Sequence, residues 1–240
     1  WRARSRTPPC GPPKRGSATR HFCSNWRTER AAKSARRVER LRHQSGLLPA
    51  KDFRALDLNR FAPATRMQIE RLRDGNFLTE AINVIAIGRP GAGKSHLVCA
   101  LGHALVERGH PVLFASTRAL VQRLLAAKRD LRLPQELAKL DRFECLILDD
   151  IGYVQHDRDE MEVLFTLLAE RYERKSVAIT TNLVFSDWDR IFKDPMTTLA
   201  AIDRVVHHSV VLDLMAVESY RAKAAGAKSK TRAAEEPAAV

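Results

Sequence analysis

The stretch that decides the fold is Gly88-Arg89-Pro90-Gly91-Ala92-Gly93-Lys94-Ser95. It follows the apolar run 83–87 and precedes residues 96–107, whose pattern is helical, so it fits G-x-x-x-x-G-K-[ST] between a strand and a helix. Its glycines let successive backbone N–H groups point into one concavity beside the positive end of the helix, where phosphate oxygens bind. The stretch predicts a nucleoside triphosphate site, and the alternative is a glycine-rich turn that binds nothing.

Two side chains of this loop carry distinct chemistry. Lys94 offers a positive charge to the β and γ phosphates, and Ser95 offers a hydroxyl ligand to Mg²⁺. The whole set that we predict to bind the nucleotide is Gly88, Pro90, Gly91, Ala92, Gly93, Lys94, Ser95 and His96.

An apolar run that ends in two carboxylates follows at residues 145–150, Cys-Leu-Ile-Leu-Asp-Asp. Ligands of open α/β sheets gather at the carboxyl ends of strands, which is where this pair would lie. The spacing from Lys94 suits a Walker B strand, with Asp149 beside Ser95 in the Mg²⁺ shell and Asp150 placed to polarise the attacking water. Alternatively, two adjacent acids cap the next element.

Three further polar residues are candidate catalytic residues because of their positions in the chain. Asn182 ends the apolar run 177–181, where its amide could bind the γ-phosphate and the water, although asparagine is also a common turn residue. Arg204 lies on the last core helix and Arg221 follows the last strand. An isolated arginine is usually a surface residue, so only its position relative to the other motifs makes it a candidate.

Strand-like and helix-like segments alternate along most of the chain. This alternation predicts an α/β fold with a parallel sheet covered on both faces. After the first strand at 83–87, the predicted strands are 111–116, 143–148, 177–181 and 210–214, and the predicted helices are 67–78, 96–107, 117–128, 134–141, 157–174 and 196–207. Thr117 and Ser186 are the predicted caps of helices.

A basic helix is predicted at residues 28–43. Its narrow apolar stripe is Ala31, Ala35, Val38 and Leu41, and the predicted DNA-binding residues on the rest of its surface are Lys33, Arg36, Arg37, Arg40 and Arg42. Such a helix can pack lightly on a domain while its charges meet phosphates, or it can be an ordinary solvated surface helix. Phe53 and Phe61, in the linker after it, are predicted to dock onto the next domain.

The net charge of +13 is concentrated at the two ends of the chain. Residues 1–43 hold thirteen Lys and Arg against two acids, whereas residues 44–220 are nearly neutral. A polyanion should therefore meet the ends first. The four cysteines lack metal-ligand spacing, and no apolar run is long enough to cross a bilayer, so we expect a cytoplasmic protein with no membrane partner.

Taken together, these motifs resemble the IstB-like helper ATPases of bacterial insertion sequences, which are AAA+ proteins related to the helicase loader DnaC. The resemblance covers about residues 28–221. Beside the phosphate loop it rests on Leu146-Ile147-Leu148-Asp149-Asp150-Ile151-Gly152-Tyr153, Glu170-Arg171-Tyr172-Glu173-Arg174-Lys175-Ser176, Thr181-Asn182, Asp203-Arg204-Val205-Val206-His207-His208 and Glu218-Ser219-Tyr220-Arg221.

The resemblance implies a three-layer P-loop ATPase of AAA+ type, with sheet order 5-1-4-3-2 and a small basic helical N-terminal region that binds DNA. It implies ATP and Mg²⁺ as cofactors, Asn182 as sensor 1, Arg204 as an arginine finger that acts on a neighbouring subunit, and Arg221 as sensor 2. With Asp150, these three residues form the predicted catalytic set. The implied function is ATP-dependent assembly of a homo-oligomer on duplex DNA in support of a transposase.

This sequence departs from the family pattern in two places. Asp150 replaces the usual glutamate with a side chain one methylene shorter, which predicts slow hydrolysis. Residues 1–27 do not resemble the helical start of the family and are predicted to be disordered or non-native. The other predicted divisions are 28–75 for the basic region and linker, 76–221 for the ATPase domain and 222–240 for a basic flexible tail. The alternatives are a DnaC-like helicase loader and a non-catalytic scaffold that ATP switches.

Overall fold

The computed structural model describes residues 17–153, 158–188 and 195–220, and these are built around a five-stranded parallel sheet. The strand order is β2-β3-β4-β1-β5, which confirms the predicted order 5-1-4-3-2 counted from the other edge. In β1, Ile87 pairs with Thr181 of β4 on one side and with Asp213 of β5 on the other. The strands are β1 (Asn83–Ile87), β2 (Val112–Ser116), β3 (Cys145–Asp149), β4 (Ser176–Thr181) and β5 (Ser209–Asp213).

Helices surround this sheet. In the part of the chain that the structure describes, they are α1 (Ser17–Gln44), α2 (Pro63–Arg73), α3 (Lys94–Glu107), α4 (Thr117–Arg129), α5 (Leu133–Leu140), α6 (Arg158–Arg171) and α7 (Pro195–Val206). None of these helices is long and apolar enough to span a membrane.

The hydrophobic core consists of two clusters, and successive side chains of β1 belong to one cluster and the other in turn. Val84 and Ala86 belong to the cluster that includes α3, whereas Ile85 and Ile87 belong to the cluster that includes α4 and α6. Successive side chains of a strand point to opposite faces, so a strand buried at all five positions must be covered on both. This confirms the three-layer arrangement and explains why the strands read as continuous apolar runs.

Two details of the predicted elements are wrong. The first helix begins at Ser17, inside the segment 1–27 that was predicted as a disordered or non-native start. Ser116, not Thr117, precedes α4 as its cap residue, and the Thr117 hydroxyl instead donates to the Asp149 carbonyl at 2.8 Å. Ser186 lies inside a short 3-10 turn (Phe185–Asp187) that follows Val184.

The N-terminal region packs onto the side of the sheet that α3 covers. Phe61 and Leu47 are buried in the same cluster as α3, and Phe53 packs against that cluster, which confirms the predicted docking of the two aromatic rings. The predicted apolar stripe of α1 is buried only at its C-terminal end, at Leu41 and in part at Val38. Ala31 and Ala35 are exposed.

Arg171 is a charged residue that is buried in the interior. Its side chain is only 2% exposed, and its guanidinium donates to the carbonyl oxygens of Leu140, Phe143 and Ser176 at 3.0–3.2 Å. Burial lowers the pKa of Arg171. The charge thus joins the end of α5, the loop before β3 and the start of β4 through their backbones.

Arg171→Met should lower the free energy of unfolding by about 3 kcal/mol, because the apolar replacement leaves several buried carbonyl oxygens without a donor. The matched control is Arg174→Met. Arg174 is exposed and pairs with Asp141 and Glu170, so its loss should cost less than about 1 kcal/mol. Denaturant unfolding of both variants measures the difference, and equal effects would contradict a structural role specific to Arg171.

Candidate nucleotide site

The loop between β1 and α3 is shaped by two glycines in the left-handed region. Gly91 has φ +83° and Gly93 has φ +95°, and Gly93 precedes the first turn of α3. A Cβ at Gly91 would lie 2.1 Å from the Ser219 hydroxyl, so a side chain there would have to displace Ser219 and would also strain the backbone. The loop begins where the Gly88 N–H donates to the Thr181 carbonyl at 3.2 Å, which fixes it to the end of β4.

Lys94 is buried inside the curve of this loop. Its ammonium donates to the carbonyl oxygens of Gly88 at 2.7 Å and of Arg89 at 3.1 Å, and the residue is 6% exposed. These acceptors are neutral. Phosphate oxygens carry negative charge and form stronger, charge-assisted hydrogen bonds, so the ammonium is held where it would favour an anion.

A cavity of about 340 Å³ opens in front of the loop. Eight predicted site residues line it, namely Pro90, Gly91, Gly93, Lys94, Ser95, His96, Asp150 and Asn182. Gly88 and Ala92 belong to the loop but not to the cavity wall, and Ala92 is fully buried. Arg221 lies outside the described residues.

Thr180 organises the acidic pair at the end of β3, and sequence reasoning missed it. Its hydroxyl donates to the Asp149 carboxylate at 2.7 Å and accepts the Asp150 N–H at 2.8 Å. Asp150 has φ +59°, an uncommon conformation for a residue with a side chain. The turn lets Asp150 line the cavity, whereas Asp149 remains beside Thr180 on the neighbouring strand.

Asn182 brings an unsatisfied polar atom to the cavity wall. Its Oδ1 is buried and has no hydrogen-bond partner among the described residues. A Cβ at Gly152 would lie 2.5 Å from this oxygen, so the glycine leaves space for the amide. A buried carbonyl oxygen without a donor is costly, and water or another donor in the cavity would satisfy it.

Residues from both ends of the described chain complete the cavity wall. Lys51 and Ala55 come from the linker before α2, and Tyr220 follows β5. The His96 ring is hydrogen-bonded to the Asp52 carbonyl at 3.0 Å, which holds the linker against α3. The sequence did not predict Lys51 and Ala55 because no motif includes them. Tyr220 belongs to the motif Glu218-Ser219-Tyr220-Arg221, but no role was predicted for it.

The residues before Arg221 contact both the phosphate loop and the N-terminal region. The Tyr220 N–H donates to the Gly91 carbonyl at 2.9 Å. The guanidinium of Arg60 lies 3.9 Å from the centre of the Tyr220 ring, and it also donates to the Glu218 carbonyl. Arg60 therefore links the N-terminal linker to the residues that close over the loop.

Arg204 does not line the cavity of its own chain. It lies on α7, with its guanidinium 4.7 Å from the centre of the Phe165 ring of α6. Its Nη1 is buried and has no hydrogen-bond partner among the described residues. The structure thus separates Arg204 from Asp150 and Asn182, with which it was grouped as catalytic.

The five predicted DNA-binding residues of α1 fall into two groups. Lys33, Arg36 and Arg40 are exposed and unpaired within the described chain, and their spacing puts them on one face of the helix. Arg37 shares this face but donates to the Gly109 carbonyl at 3.1 Å. Arg42 points to the opposite side and pairs with Glu39 at 3.2 Å, so it does not extend the basic face.

A family model described as IstB-like ATP binding protein matches residues 22–228. The chain belongs to this family. It is 44% identical over 198 residues to a Sinorhizobium fredii protein whose name describes an insertion sequence ATP-binding protein, a match that covers 82% of this chain and 66% of the relative. It is 41% identical over 158 residues to a Pseudomonas aeruginosa protein named as the ATP-binding protein of insertion sequence IS21, with 66% and 59% covered. The chain thus spans less than two thirds of the length of these relatives.

Solved structures share the fold of this IstB-like chain at low sequence identity. DnaA from Aquifex aeolicus, solved with bound AMPPCP, has a TM-score of 0.60 at 16% identity, and the match covers 78% of this chain and 56% of DnaA. The DnaC helicase loader has a TM-score of 0.54 at 17% identity, with 65% and 89% covered. The fold is therefore the P-loop fold of AAA+ proteins.

The residues of the IstB-like site fit a nucleoside triphosphate with Mg²⁺. Gly91 and Gly93 take the positive φ values of a phosphate-binding loop, Lys94 supplies the charge, and Asn182, whose buried Oδ1 has no hydrogen-bond partner among the described residues, lines the cavity. Ser95 lines this cavity, whereas Asp149 does not line it but ends β3, directly before the cavity-lining Asp150. Hydroxyl and carboxylate oxygens are the ligands that Mg²⁺ prefers.

Proposed function

We propose that this chain is an ATP-dependent, largely sequence-independent duplex-DNA-binding ATPase that forms a homo-oligomer on DNA and assists a partner transposase. The observation that carries the proposal is the convergence of the phosphate loop, Asp150 and Asn182 on one cavity. Membership of the IstB-like family supports ATP as the nucleotide, and the insertion-sequence names of the relatives support a transposase as the partner.

In this proposal, different residues at the site hold the phosphates, bind Mg²⁺ and position the attacking water. Lys94 and the loop N–H groups would hold the phosphates, and Ser95 and Asp149 would hold Mg²⁺, which when bound would supply positive charge to the terminal phosphates. Asp150 orients and polarises the attacking water, and Asn182 hydrogen-bonds the same water and the γ-phosphate. Hydrolysis should be slow because the shorter Asp150 side chain reaches less far into the cavity than glutamate would.

The Arg60 contact supports a route from the nucleotide to the DNA. Tyr220 contacts the phosphate loop through its backbone and Arg60 through its ring, and Arg60 belongs to the region that carries α1. A nucleotide that favours this position of Tyr220 would, through Arg60, restrict the linker that follows α1. Ordering of that linker in every protomer would align the basic helices along the DNA.

The basic face of α1 supports contact with the phosphate backbone. Lys33, Arg36 and Arg40 are exposed, and only the C-terminal part of the helix packs on the core. Lysine and arginine that meet phosphates contribute affinity without sequence information. Each helix alone would bind weakly, but an oligomer repeats the contact along one duplex, and linked contacts strengthen binding.

The experiment that tests this proposal replaces Lys33, Arg36 and Arg40 together with alanine and measures duplex affinity over a range of salt concentrations with ATP present. We expect weaker binding to all sequences and a salt slope lower by about 3 per protomer, because three phosphate contacts are lost. The control replaces Arg118, Arg129 and Arg142, which are exposed outside α1 and remove the same charge. Equal losses in the two variants, or a site-specific footprint of the unaltered protein, would contradict the proposal.

A helicase loader is the second candidate, because the DnaC loader shares the fold. Its partner would be a hexameric helicase, whereas our proposal requires a transposase. Purification of the tagged chain from cells that contain both proteins separates the candidates, since retention of the helicase without the transposase would favour the loader.

A scaffold that ATP switches without turnover is the third candidate, and the Asp149-Asp150 pair favours it. Such a scaffold would bind ATP and DNA but release no phosphate. Phosphate release, measured with and without duplex DNA, distinguishes it, because the ATPase that we propose should release phosphate at least when DNA is bound.

A further inference from the structure

Three metal-ligating side chains converge at the end of the sheet opposite the cavity. The carboxylate of Glu173 and one imidazole nitrogen each from His207 and His208 lie within 4.8 Å of one another. Glu173 precedes β4 and the two histidines precede β5, so the cluster lies where these strands begin. The phosphate loop and Asp150 follow the ends of β1 and β3, so this cluster is separate from the nucleotide site.

The backbones that carry the three side chains are fixed by one buried residue. The N–H of Asn83 donates to the His208 carbonyl at 2.7 Å, and its side-chain amide donates to the Val205 carbonyl at 3.1 Å. The Asn83 Oδ1 accepts the Val177 N–H at 2.9 Å. Asn83, which is 7% exposed, thus holds the start of β5 and the start of β4 on either side of β1.

The turn that carries Glu173 is fixed as well. The N–H groups of Arg174 and Lys175 both donate to the Arg171 carbonyl at 3.0 Å, and Glu173 takes a positive φ of +55° within this turn. The buried guanidinium of Arg171 holds the Ser176 carbonyl at 3.1 Å. Because both turns are anchored to buried groups, an ion would have to order only the three exposed side chains.

The geometry of the side chains is close to that of a ligand set. A Glu173 carboxylate oxygen lies 3.6 Å from the His208 Nε2, and the two imidazole rings meet edge to face with centres 4.4 Å apart. Ligands of a tetrahedral zinc ion lie ~2 Å from the metal and hence about 3.3–3.5 Å from one another. The three donors lie within 4.8 Å of one another on exposed side chains, so small side-chain rotations are the change that binding requires.

We propose that Glu173, His207 and His208 form a site for a divalent transition-metal ion of the Zn²⁺ type, with water in the fourth position. Two imidazoles and one carboxylate are ligands that suit Zn²⁺, and hard ions such as Mg²⁺ prefer oxygen ligands alone. This inference does not depend on the proposed function, because the ligands lie away from the nucleotide cavity.

The test is calorimetric titration of the nucleotide-free full chain with ZnCl₂, with Cys10 and Cys23 changed to serine so that their thiols do not compete. We expect one site whose affinity falls at least tenfold in His208→Ala and in Glu173→Gln. The control is His43→Ala, since His43 pairs with Glu39 at 3.2 Å on exposed α1 and offers only two donors. It should leave the affinity unchanged.

Two outcomes would overturn the site: equal affinity in the cluster variants and the parent, or an equal loss in the His43 control. The thermal midpoint provides a second readout that does not depend on calorimetry. Zinc should raise the midpoint of the parent and should not raise that of His208→Ala, because an ion that binds only the folded state stabilises it. Loss of folding in a variant would be visible in the same scan without zinc.

Discussion

Lys94→Ala should abolish useful nucleotide binding, with a loss of affinity for ATP of about 1000-fold, or ~4 kcal/mol. The size of the loss follows from the position of Lys94. Its ammonium is buried in the curve of the loop and is held by the Gly88 and Arg89 carbonyl oxygens, so its charge is little screened by water. Titration with a fluorescent ATP analogue measures the change directly.

Lys51→Ala is the matched control for this prediction. Lys51 lines the same cavity but belongs to the linker before α2, and it is more exposed than Lys94. If the loop itself cradles the phosphates, removal of Lys51 should cost far less affinity than removal of Lys94. Similar losses would mean that the cavity attracts the nucleotide by its general positive charge, and full affinity in Lys94→Ala would refute the assignment of the loop.

The phosphate loop and the individual strands were predictable because short contiguous patterns determine them. Glycines with positive φ, a lysine and a serine must occupy fixed places between a strand and a helix, so eight successive residues suffice to identify the loop. The strands were recognisable because a sheet covered on both faces requires apolar residues at every position. Their order came from the family resemblance and not from the apolar pattern.

The contacts that complete the site were not predictable, because they join distant segments. Arg60 and Glu218 are 158 residues apart, and nothing near Arg60 indicates that it meets Tyr220. Thr180 looked like an ordinary strand residue, and its role depends on the neighbouring position of Asp149 in the sheet. Local charge patterns also failed for Arg171, since an arginine at the end of a surface helix is expected to be solvated and this one is buried.

In the basic helix α1, the sequence did not predict which basic residues have partners within the protein. Sequence grouped Arg37 and Arg42 with the other basic residues of α1, because composition does not distinguish the partners of each charge. In the structure, Arg37 donates to Gly109 and Arg42 pairs with Glu39, so only part of the predicted set remains available to a polyanion. The assignment of all five residues of α1 as DNA-binding stays a prediction, and substitution of Lys33, Arg36 and Arg40 is its best test.

Arg204→Ala should leave ATP affinity nearly unchanged but reduce hydrolysis by about 1000-fold, because an arginine finger stabilises charge only in the transition state. Arg204 does not line the cavity of its own chain, so any contact with the γ-phosphate must come from a neighbouring protomer. Phe165→Leu is the control, since it removes the ring under the guanidinium and keeps the arginine. It should cost about 1 kcal/mol of stability or less and retain most of the hydrolysis.

Mixing two inactive variants decides whether Arg204 acts between subunits. An Arg204→Ala protomer keeps an intact cavity, and a Lys94→Ala protomer keeps Arg204, so an interface between them in the right order is complete. In a head-to-tail assembly of equal amounts, about a quarter of the interfaces should have this order, and phosphate release should recover by a corresponding fraction. If mixtures stay inactive while the two variants co-assemble on DNA, or if Arg204→Ala alone hydrolyses ATP as a monomer, then Arg204 is not a finger acting in trans.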